Sequence, residues 1–302
     1  MQGVVGREVA NLAAAALHDS FSATEAEGKR ARARLLSSAG GPASAWLFQT
    51  PSAPSLRLSD FAFVVNGRQR LGLGAPTDVP ALPCGGERCS ELRQSAPDHP
   101  QSCTEVAHER WVRHQFKASA WRATARSAGC ATSGEPHYAR LATTAAGRDA
   151  AGLRRGDIVI DMMDGRVVVV DVTVSHPAAA SHVDAAARSA GATARKREVE
   201  KKREWAAVGD GSGYEFRPLA AESFGRLGPE SMSLLSEFGD MASAGGLVSK
   251  AAFVKSALTR ISCAVARGNA LVYGGATRKA VRAAGRGFLP GLQVPLQDVA
   301  LL

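Results

Sequence analysis

The sequence predicts an α/β fold in which a small mixed sheet is flanked by helices. Two runs rich in β-branched residues, "GDIVIDM" and "RVVVVDVTV", are joined by "MDGR", whose Asp-Gly pair is typical of a tight hairpin turn. A charged helical segment follows, and then a third short apolar run. Strand, strand, helix and strand in this order indicate an α/β core.

The remaining elements are predicted from apolar spacing and turn residues. In chain order we expect a helix over 6–37, a Pro/Gly/Ser-rich linker over 40–55, a helix over 56–73 with Ser59 as N-cap, a helix over 105–129, the hairpin from 156, a helix over 182–209, a strand over 214–225, and helices over 229–240 and 245–268. The predicted units are a helical N-terminal extension and linker (1–55), a linker helix with a Cys/His segment (56–104), a core (105–230), C-terminal helices (231–285) and an irregular tail (286–302).

The chain is basic, with 37 Lys and Arg against 28 Asp and Glu and a formal net charge of +9. This charge favours a polyanionic partner, nucleic acid first, although a GC-rich genome that favours Arg and Ala would also produce it. Five cysteines, an odd number, and no signal peptide indicate a reducing compartment. No apolar run reaches the roughly 18 residues of a membrane span. We therefore expect a nuclear or cytoplasmic protein that is neither secreted nor membrane-spanning.

Three of the five cysteines lie with a histidine in "CGGERCSELRQSAPDHPQSC". Two close cysteines followed by a close His and Cys form the ligand pattern of a tetrahedral zinc site, which can fold a segment that is too short for its own core. The predicted zinc ligands are Cys84, Cys89, His99 and Cys103. His108 is a competing fourth ligand, but it lies inside a predicted helix. The alternative is two loop cysteines and an unrelated surface histidine.

The hairpin carries two acids that its apolar character does not explain. Asp171 shares a strand face with Val169 and Thr173, in a strand that is apolar on both faces. A carboxylate buried there costs several kcal/mol unless it is paired or binds a metal. Asp157 and Asp171 meeting at the end of the sheet would form a Mg²⁺ site. Alternatively, Asp157 only begins its strand and Asp171 pairs with a helix arginine.

The helix after the hairpin is rich in cations, in "RKREVEKKREW". A lysine beside a metal-bound water can orient that water and stabilise charge at an attacked phosphate. Lys201 and Lys202 point about 100° apart on a helix, so at most one of them faces the acids directly. The alternative is a charged face in contact with solvent.

An acid, thirteen residues, "DVTV" and a Lys-rich helix ending in an aromatic residue together resemble the restriction-like endonuclease of site-specific non-LTR retrotransposons, a branch of the PD-(D/E)XK nuclease superfamily. In those elements the domain follows a reverse transcriptase and a Cys-Cys-His-Cys knuckle. This chain has the knuckle segment (84–103), "RHQF", "GD", "DVTV", the Lys helix and "AESFGRLGPE" in the same order. The resemblance covers residues from about 30 to 285.

The resemblance implies a PD-(D/E)XK restriction-endonuclease-like core and a metal-dependent DNA endonuclease. The enzyme would nick one strand of a genomic target and leave a 3′-hydroxyl to prime reverse transcription. Its cofactors would be Mg²⁺ or Mn²⁺, with Zn²⁺ in the knuckle. Its partners would be DNA, the RNA of the element and a reverse transcriptase. The alternatives are a non-catalytic nucleic-acid-binding module and an inactive retrotransposon relic.

The resemblance also assigns roles to particular residues. Asp157 and Asp171 would bind the metal, Lys202 or Lys201 would be the catalytic lysine, Glu135 would be an additional acid, and Arg113, His114, Lys117 and Lys196 would contact nucleic acid. Thr173 occupies the usual lysine position, but in the retrotransposon branch the lysine is displaced onto the following helix, which fits Lys202 or Lys201. Two departures from the pattern remain: Gly156 replaces the proline of the motif, and no Tyr-x-Asp-Asp-like polymerase segment is present. The chain therefore resembles a 3′ fragment of an element.

Overall fold

A computed structural model describes residues 12–74, 84, 98–151, 155–209, 213–246 and 248–285. The predicted mixed α/β architecture is confirmed. The helices are α1 (12–20), α2 (Ala26–Ser38), α3 (Gly41–Ser44), α4 (Asp60–Arg70), α5 (His99–Ser102), α6 (Ala107–Ser127), α7 (Tyr138–Leu141), α8 (Ala145–Ala151), α9 (Val183–Ala186), α10 (Ala192–Gly209), α11 (Pro229–Ala244) and α12 (Lys250–Ala283). The strands are β1 (Ala131–Ser133), β2 (Ile158–Asp161), β3 (Val167–Ser175) and β4 (Glu215–Glu222).

The four strands form one sheet in the order β1-β2-β3-β4. The β1–β2 and β2–β3 pairs are antiparallel, and β4 is parallel to β3. The predicted turn between β2 and β3 is confirmed, since Gly165 N donates to the Met162 carbonyl at 3.1 Å. Helices α9 and α10 lie between β3 and β4 in the chain, and such a crossover allows parallel pairing.

Helices cover both faces of the sheet. Val168, Val170 and Val172 belong to the larger hydrophobic core, together with residues of α6, α11 and α12. Val169 belongs to a second core with Trp205 of α10 and with residues of α7 and α8. Strand β3 is therefore buried on both of its faces, as its apolar sequence predicts.

The last helix, α12, is longer than the predicted segment 245–268 because its second half stays buried. It packs along α6 and also contacts α4 and α11. Its inner residues share one core with α6 and the sheet, so the chain after residue 230 packs directly against the elements that hold the acids. Within the described part of the chain, neither this helix nor any other is long and apolar enough to cross a membrane.

Two long helices predicted from sequence are broken. The described part of the predicted helix 6–37 divides between α1 and α2, where Ser22 Oγ accepts the backbone N–H groups of Thr24 and Glu25. The segment 182–209 divides between α9 and α10, where Gly191 has φ +75°. A side-chain hydroxyl that bonds the local backbone and a residue in the left-handed region both interrupt a helix. The Ser59 N-cap is confirmed, because its Oγ accepts the Ala62 N–H at 3.2 Å.

One strand, β1, was not predicted from the sequence. β1 has three residues, Ala131–Ser133, and its short polar sequence has no alternation of apolar and polar residues. It pairs with β2 because α6 ends beside that strand. The predicted irregular tail over 286–302 and the predicted zinc ligand Cys89 lie outside the described residues.

Candidate functional site

The two acids lie on the inner strands of the sheet. Asp157 immediately precedes β2, and Asp171 is the central residue of β3. β2 and β3 pair with Ile158 opposite Val170, which places the two acids beside each other at one end of β2. Their negative charges interact, since Asp157 contributes to the raised pKa of Asp171. The structure therefore brings the predicted pair together.

Asp171 is held on the α10 side of the sheet by two donors. Lys201 Nζ lies 3.0 Å from Asp171 Oδ2, and the Tyr138 hydroxyl donates to the same oxygen at 3.1 Å. In the described part of the chain, no donor bonds to Asp171 Oδ1. Burial raises the pKa of Asp171, and the nearby Asp157 charge adds to that effect while Lys201 opposes it. The arrangement leaves one oxygen of a buried carboxylate for a further ligand.

Asp157 is held on the α6 side. His114 Nε2 lies 2.9 Å from Asp157 Oδ1, and Asp157 Oδ2 accepts the Val172 N–H at 2.5 Å. The Arg122 guanidinium donates to the backbone carbonyl of Asp157 at 2.7 Å. The Asp157 carboxylate, just before β2, thus accepts the backbone N–H of Val172 in β3 and links the two strands. This contact gives Asp157 a structural role of its own, as the alternative reading of this residue expects.

The neighbouring lysines of α10 have different partners. Lys201 is 30% exposed and pairs with Asp171, whereas Lys202 is hydrogen-bonded to Glu230 of α11. Burial alone would lower the pKa of Lys201, but the charge of Asp171 raises it above the ordinary value. The expectation that only one of the two lysines faces the acids agrees with this geometry, and the residue is Lys201.

Two predicted nucleic-acid contacts, Arg113 and Lys117, are wrong because α6 turns these two side chains inward. Lys117 has no exposed surface, and its Nζ donates to the carbonyls of Thr173 and Leu219 at 2.8 and 2.5 Å. Arg113 is also buried, and its Nη1 donates to Gln101 at 2.5 Å. Burial lowers the pKa of Lys117 to about 7 and that of Arg113 to about 9. These side chains lie inside the protein because α12 and the sheet enclose α6.

The other predicted contact residues keep some exposure. His114 is partly exposed beside Asp157, and Lys196 is half-exposed with its Nζ 3.9 Å from Glu200. The predicted additional acid, Glu135, lies at the surface with its carboxylate 3.9 Å from Arg155. The ion pair with Arg155 is the contact that the structure gives Glu135.

Sequence reasoning missed Tyr138, which lies three residues after Glu135 in "GEPHY". Its ring packs against Trp205 and Phe216 with centroids 5.0 and 6.3 Å away, and its hydroxyl reaches Asp171. Burial raises the pKa of this phenol, so at neutral pH it acts as a donor. A buried Tyr whose hydroxyl meets a carboxylate is a tertiary contact, and no local spacing signals it.

Gly156, which stands where the motif that the chain resembles has proline, makes contacts that proline could not make. Its N–H donates to the Pro136 carbonyl at 2.9 Å, and proline at this position would lack that donor. A Cβ at Gly156 would lie 3.1 Å from the ring of Tyr138 and 3.1 Å from Val169. The glycine therefore lets the Tyr138 ring pack closely against the turn that leads to Asp157.

The cysteine segment forms a second candidate site. Donor atoms of Cys84, His99 and Cys103 all lie within 4.8 Å of one another. The two sulfurs are not joined in a disulfide and lie 3.4 Å apart, which is near the separation of about 3.8 Å expected for two thiolates on one tetrahedral zinc. Two soft sulfurs and an imidazole suit such an ion. The group packs against Val272 of α12. His108, the competing ligand, instead stacks on Trp111.

The fold and these two sites define a mixed α/β protein with paired carboxylates on its inner strands and a Cys-His-Cys group that can hold a metal ion. No protein-family model matches the chain, and no curated protein sequence is significantly similar to it. The function must therefore be argued from the side chains that the fold brings together.

Proposed function

We propose that this protein is a metal-dependent DNA endonuclease of the PD-(D/E)XK class, derived from a non-LTR retrotransposon. The observation that carries the proposal is the meeting of Asp157, Asp171 and Lys201 from three separate elements. The mixed sheet flanked by helices and the order of motifs along the chain support it. The substrate is DNA, and the reaction is hydrolysis of a phosphodiester in one strand.

The donor set fits a hard divalent cation. Asp171 Oδ1 and a carboxylate oxygen of Asp157 would hold Mg²⁺ or Mn²⁺, ions that prefer oxygen ligands. A cation bound there supplies Lewis-acid activation of a phosphate and of water. Lys201 lies at the same carboxylate, partly exposed, where its charge would stabilise the developing negative charge on the phosphate. Tyr138 fixes the orientation of Asp171 from the buried side.

The first test is nicking of supercoiled plasmid with Mg²⁺ or Mn²⁺. Asp171→Asn keeps the shape of the side chain and an acceptor for Tyr138 and Lys201, so we expect the fold to persist. We expect this variant to lose activity by about 10²- to 10³-fold or more. Equal nicking by the wild type and Asp171→Asn would show that the activity does not come from this site. Asp157→Ala is a weaker test, because Asp157 also bonds the backbone of β3.

The adjacent lysines provide a matched pair of variants. Lys201→Met should lower the nicking rate by about 10²-fold, because it removes the cation beside Asp171. Lys202→Met removes the same charge one residue away, from an ion pair with Glu230, and should change the rate by less than about 3-fold. A larger loss in Lys202→Met than in Lys201→Met would contradict the assignment.

A non-catalytic nucleic-acid-binding module is the second candidate, and one observation favours it. Three of the four carboxylate oxygens of the pair already have partners within the protein, in Lys201, Tyr138, His114 and the Val172 N–H. Carboxylates satisfied in this way stabilise a fold without any metal. The two candidates separate on binding and cutting: a module would bind DNA at moderate salt and cut none with either cation.

We propose zinc as the ion of the Cys-His-Cys group. Zinc would join Cys84 to the segment just before α6 and stabilise a region that packs against α12 with few core residues. Metal analysis of the purified protein should find about one zinc per chain, and Cys103→Ser should lower that content and the melting temperature together. Full zinc content in Cys103→Ser would exclude the site.

A further inference from the structure

Trp111 lies on the outer face of α6 and is 56% exposed. The other three tryptophans, Trp46, Trp121 and Trp205, are at most 8% exposed. The His108 ring stacks on Trp111 with centroids 5.9 Å apart and an interplanar angle of 25°. Burying an indole is strongly favourable, so an exposed one held by a stacked neighbour suggests a surface that binds a flat partner.

The position of Trp111 relates this surface to the candidate active site. His114 lies three residues further along α6, on the same side of the helix, and its Nε2 is 2.9 Å from Asp157 Oδ1. Three residues correspond to a rise of about 4.5 Å along a helix. In the other direction, Arg110 donates to the carbonyl of Cys103 at 2.7 Å. The Trp111–His108 pair therefore lies between the acids and the Cys-His-Cys group.

The chemistry of the pair selects one kind of ligand. An indole face binds a nucleobase by stacking, and it does so without sequence preference because every base has a π-face. Bases inside a continuous duplex are stacked on one another and cannot present a face to a helix at the surface. An unpaired base next to the phosphate at the acids can do so. The net charge of +9 favours the accompanying phosphates.

We propose that Trp111, supported by His108, is a stacking platform for an unpaired DNA base beside the phosphate that is cut. The substrate is then DNA that is locally single-stranded or melted at the cleavage point. This inference rests on the proposed endonuclease function for the position of the base, but binding tests it separately from cutting.

Fluorescence provides a direct measurement, because quenching by acrylamide reports the exposed tryptophan. The probes are a single strand of about 12 thymidines, a strand of equal length made of abasic sites, and a duplex of that length. We expect thymidine to shield Trp111 from acrylamide and to bind more tightly than the abasic strand. Equal binding of the thymidine and abasic strands would overturn the proposal, since both carry the same phosphates.

The matched variants are Trp111→Leu, Trp111→Phe and Phe48→Leu. Trp111→Leu should weaken thymidine binding by about 5- to 100-fold without changing its salt dependence, because no charge is removed. Trp111→Phe should restore part of the affinity. Phe48 is 85% exposed and lies in another part of the chain, so its substitution should have no effect. Unchanged binding in Trp111→Leu, with an unchanged melting temperature, would overturn the proposal.

Cutting separates this proposal from the proposed function. With Mg²⁺, wild type should cut DNA with a melted bubble faster than continuous duplex, and Trp111→Leu should lose that preference. If neither DNA is cut but thymidine is still preferred to abasic strand, the endonuclease function fails and the platform stands. If wild type and Trp111→Leu each cut the bubble DNA and the continuous duplex at the same rate, the platform fails and the endonuclease function stands. Tighter binding of a uridine ribonucleotide strand than of thymidine would overturn the assignment to DNA.

Discussion

Helices α6 and α10 are both basic and lie against the sheet that holds the acids, but they use their cations differently. On α6, Arg113 and Lys117 are buried and donate to amide and carbonyl oxygens of the core. On α10, Lys196 and Lys202 are half-exposed and pair with acids at the surface. The sequences of the two helices do not distinguish these outcomes.

The difference comes from what covers each helix. Helix α6 lies between the sheet and α12, so even its long polar side chains must find partners inside. Helix α10 packs on the sheet with one face and keeps the other in solvent. Lys201 lies at the boundary between the buried and the exposed face of α10, so it pairs with Asp171 while its side chain stays 30% exposed. A cation can act on a substrate at the acids only where the packing leaves it in contact with an acid and also accessible from solvent.

The largest effect is expected from the removal of a buried cation of α6. Arg113→Ala would leave Gln101 and Asn269 without their donor in the core. We expect the free energy of unfolding to fall by about 3 kcal/mol or more. Urea denaturation measures this loss. A change below about 0.5 kcal/mol would show that Arg113 is not enclosed.

The pH dependence of stability should distinguish the buried Lys117 from the partly exposed Lys201. The pKa of Lys117, about 7, lies below its unfolded value of 10.5, so the folded state releases its proton first. The free energy of unfolding should therefore rise between about pH 7 and pH 10.5, by at most about 1.4 kcal/mol per pH unit. Lys117→Met should remove this slope. Urea denaturation across that range measures it.

Lys201 gives the matched control for that experiment. Its folded pKa is raised above 10.5, so its contribution is complete below the unfolded value and is lost only as pH rises through the folded value. Lys201→Met should therefore leave the slope between about pH 7 and pH 10 unchanged. A wild-type stability that stays flat over this range would contradict the burial of Lys117.

A smaller effect is expected for the partner of Asp171 on the α10 side. Tyr138→Phe removes a hydrogen bond to the carboxylate and lets the pKa of Asp171 rise further. We expect a loss of about 1 kcal/mol near pH 7, and a smaller loss as pH falls and Asp171 becomes protonated. Urea denaturation of both proteins near pH 7, and again at a pH where Asp171 is protonated, tests this. An equal loss of stability under the two conditions would mean that the hydroxyl acts through packing of the ring and not through the charge of Asp171.

The smallest effect is expected at the surface of α10. Lys196→Ala removes a half-exposed cation whose Nζ is 3.9 Å from Glu200. The free energy of unfolding should change by less than about 0.5 kcal/mol. A loss as large as that of Arg113→Ala would mean that exposure does not separate the two helices.

Much of the fold follows from local patterns. The hairpin, the Ser59 cap and the apolar run of β3 were predictable because each depends on residues that are neighbours in the chain. The acids were predictable because a carboxylate inside an apolar strand needs a partner. β1 was not, since its three small residues form a strand only because β2 lies beside them.

The α/β class, the two acids of the hairpin, and the grouping of Cys84, His99 and Cys103 could all be predicted from the sequence. Periodicity, turn chemistry and ligand spacing are local properties, and a sequence states them directly. Three features depend on tertiary packing: which cations are buried, which lysine reaches Asp171, and the hydrogen bond from Tyr138 to the same carboxylate. Lys201 and Tyr138 are each 30 or more positions from Asp171, and their contacts depend on how helices pack against the sheet.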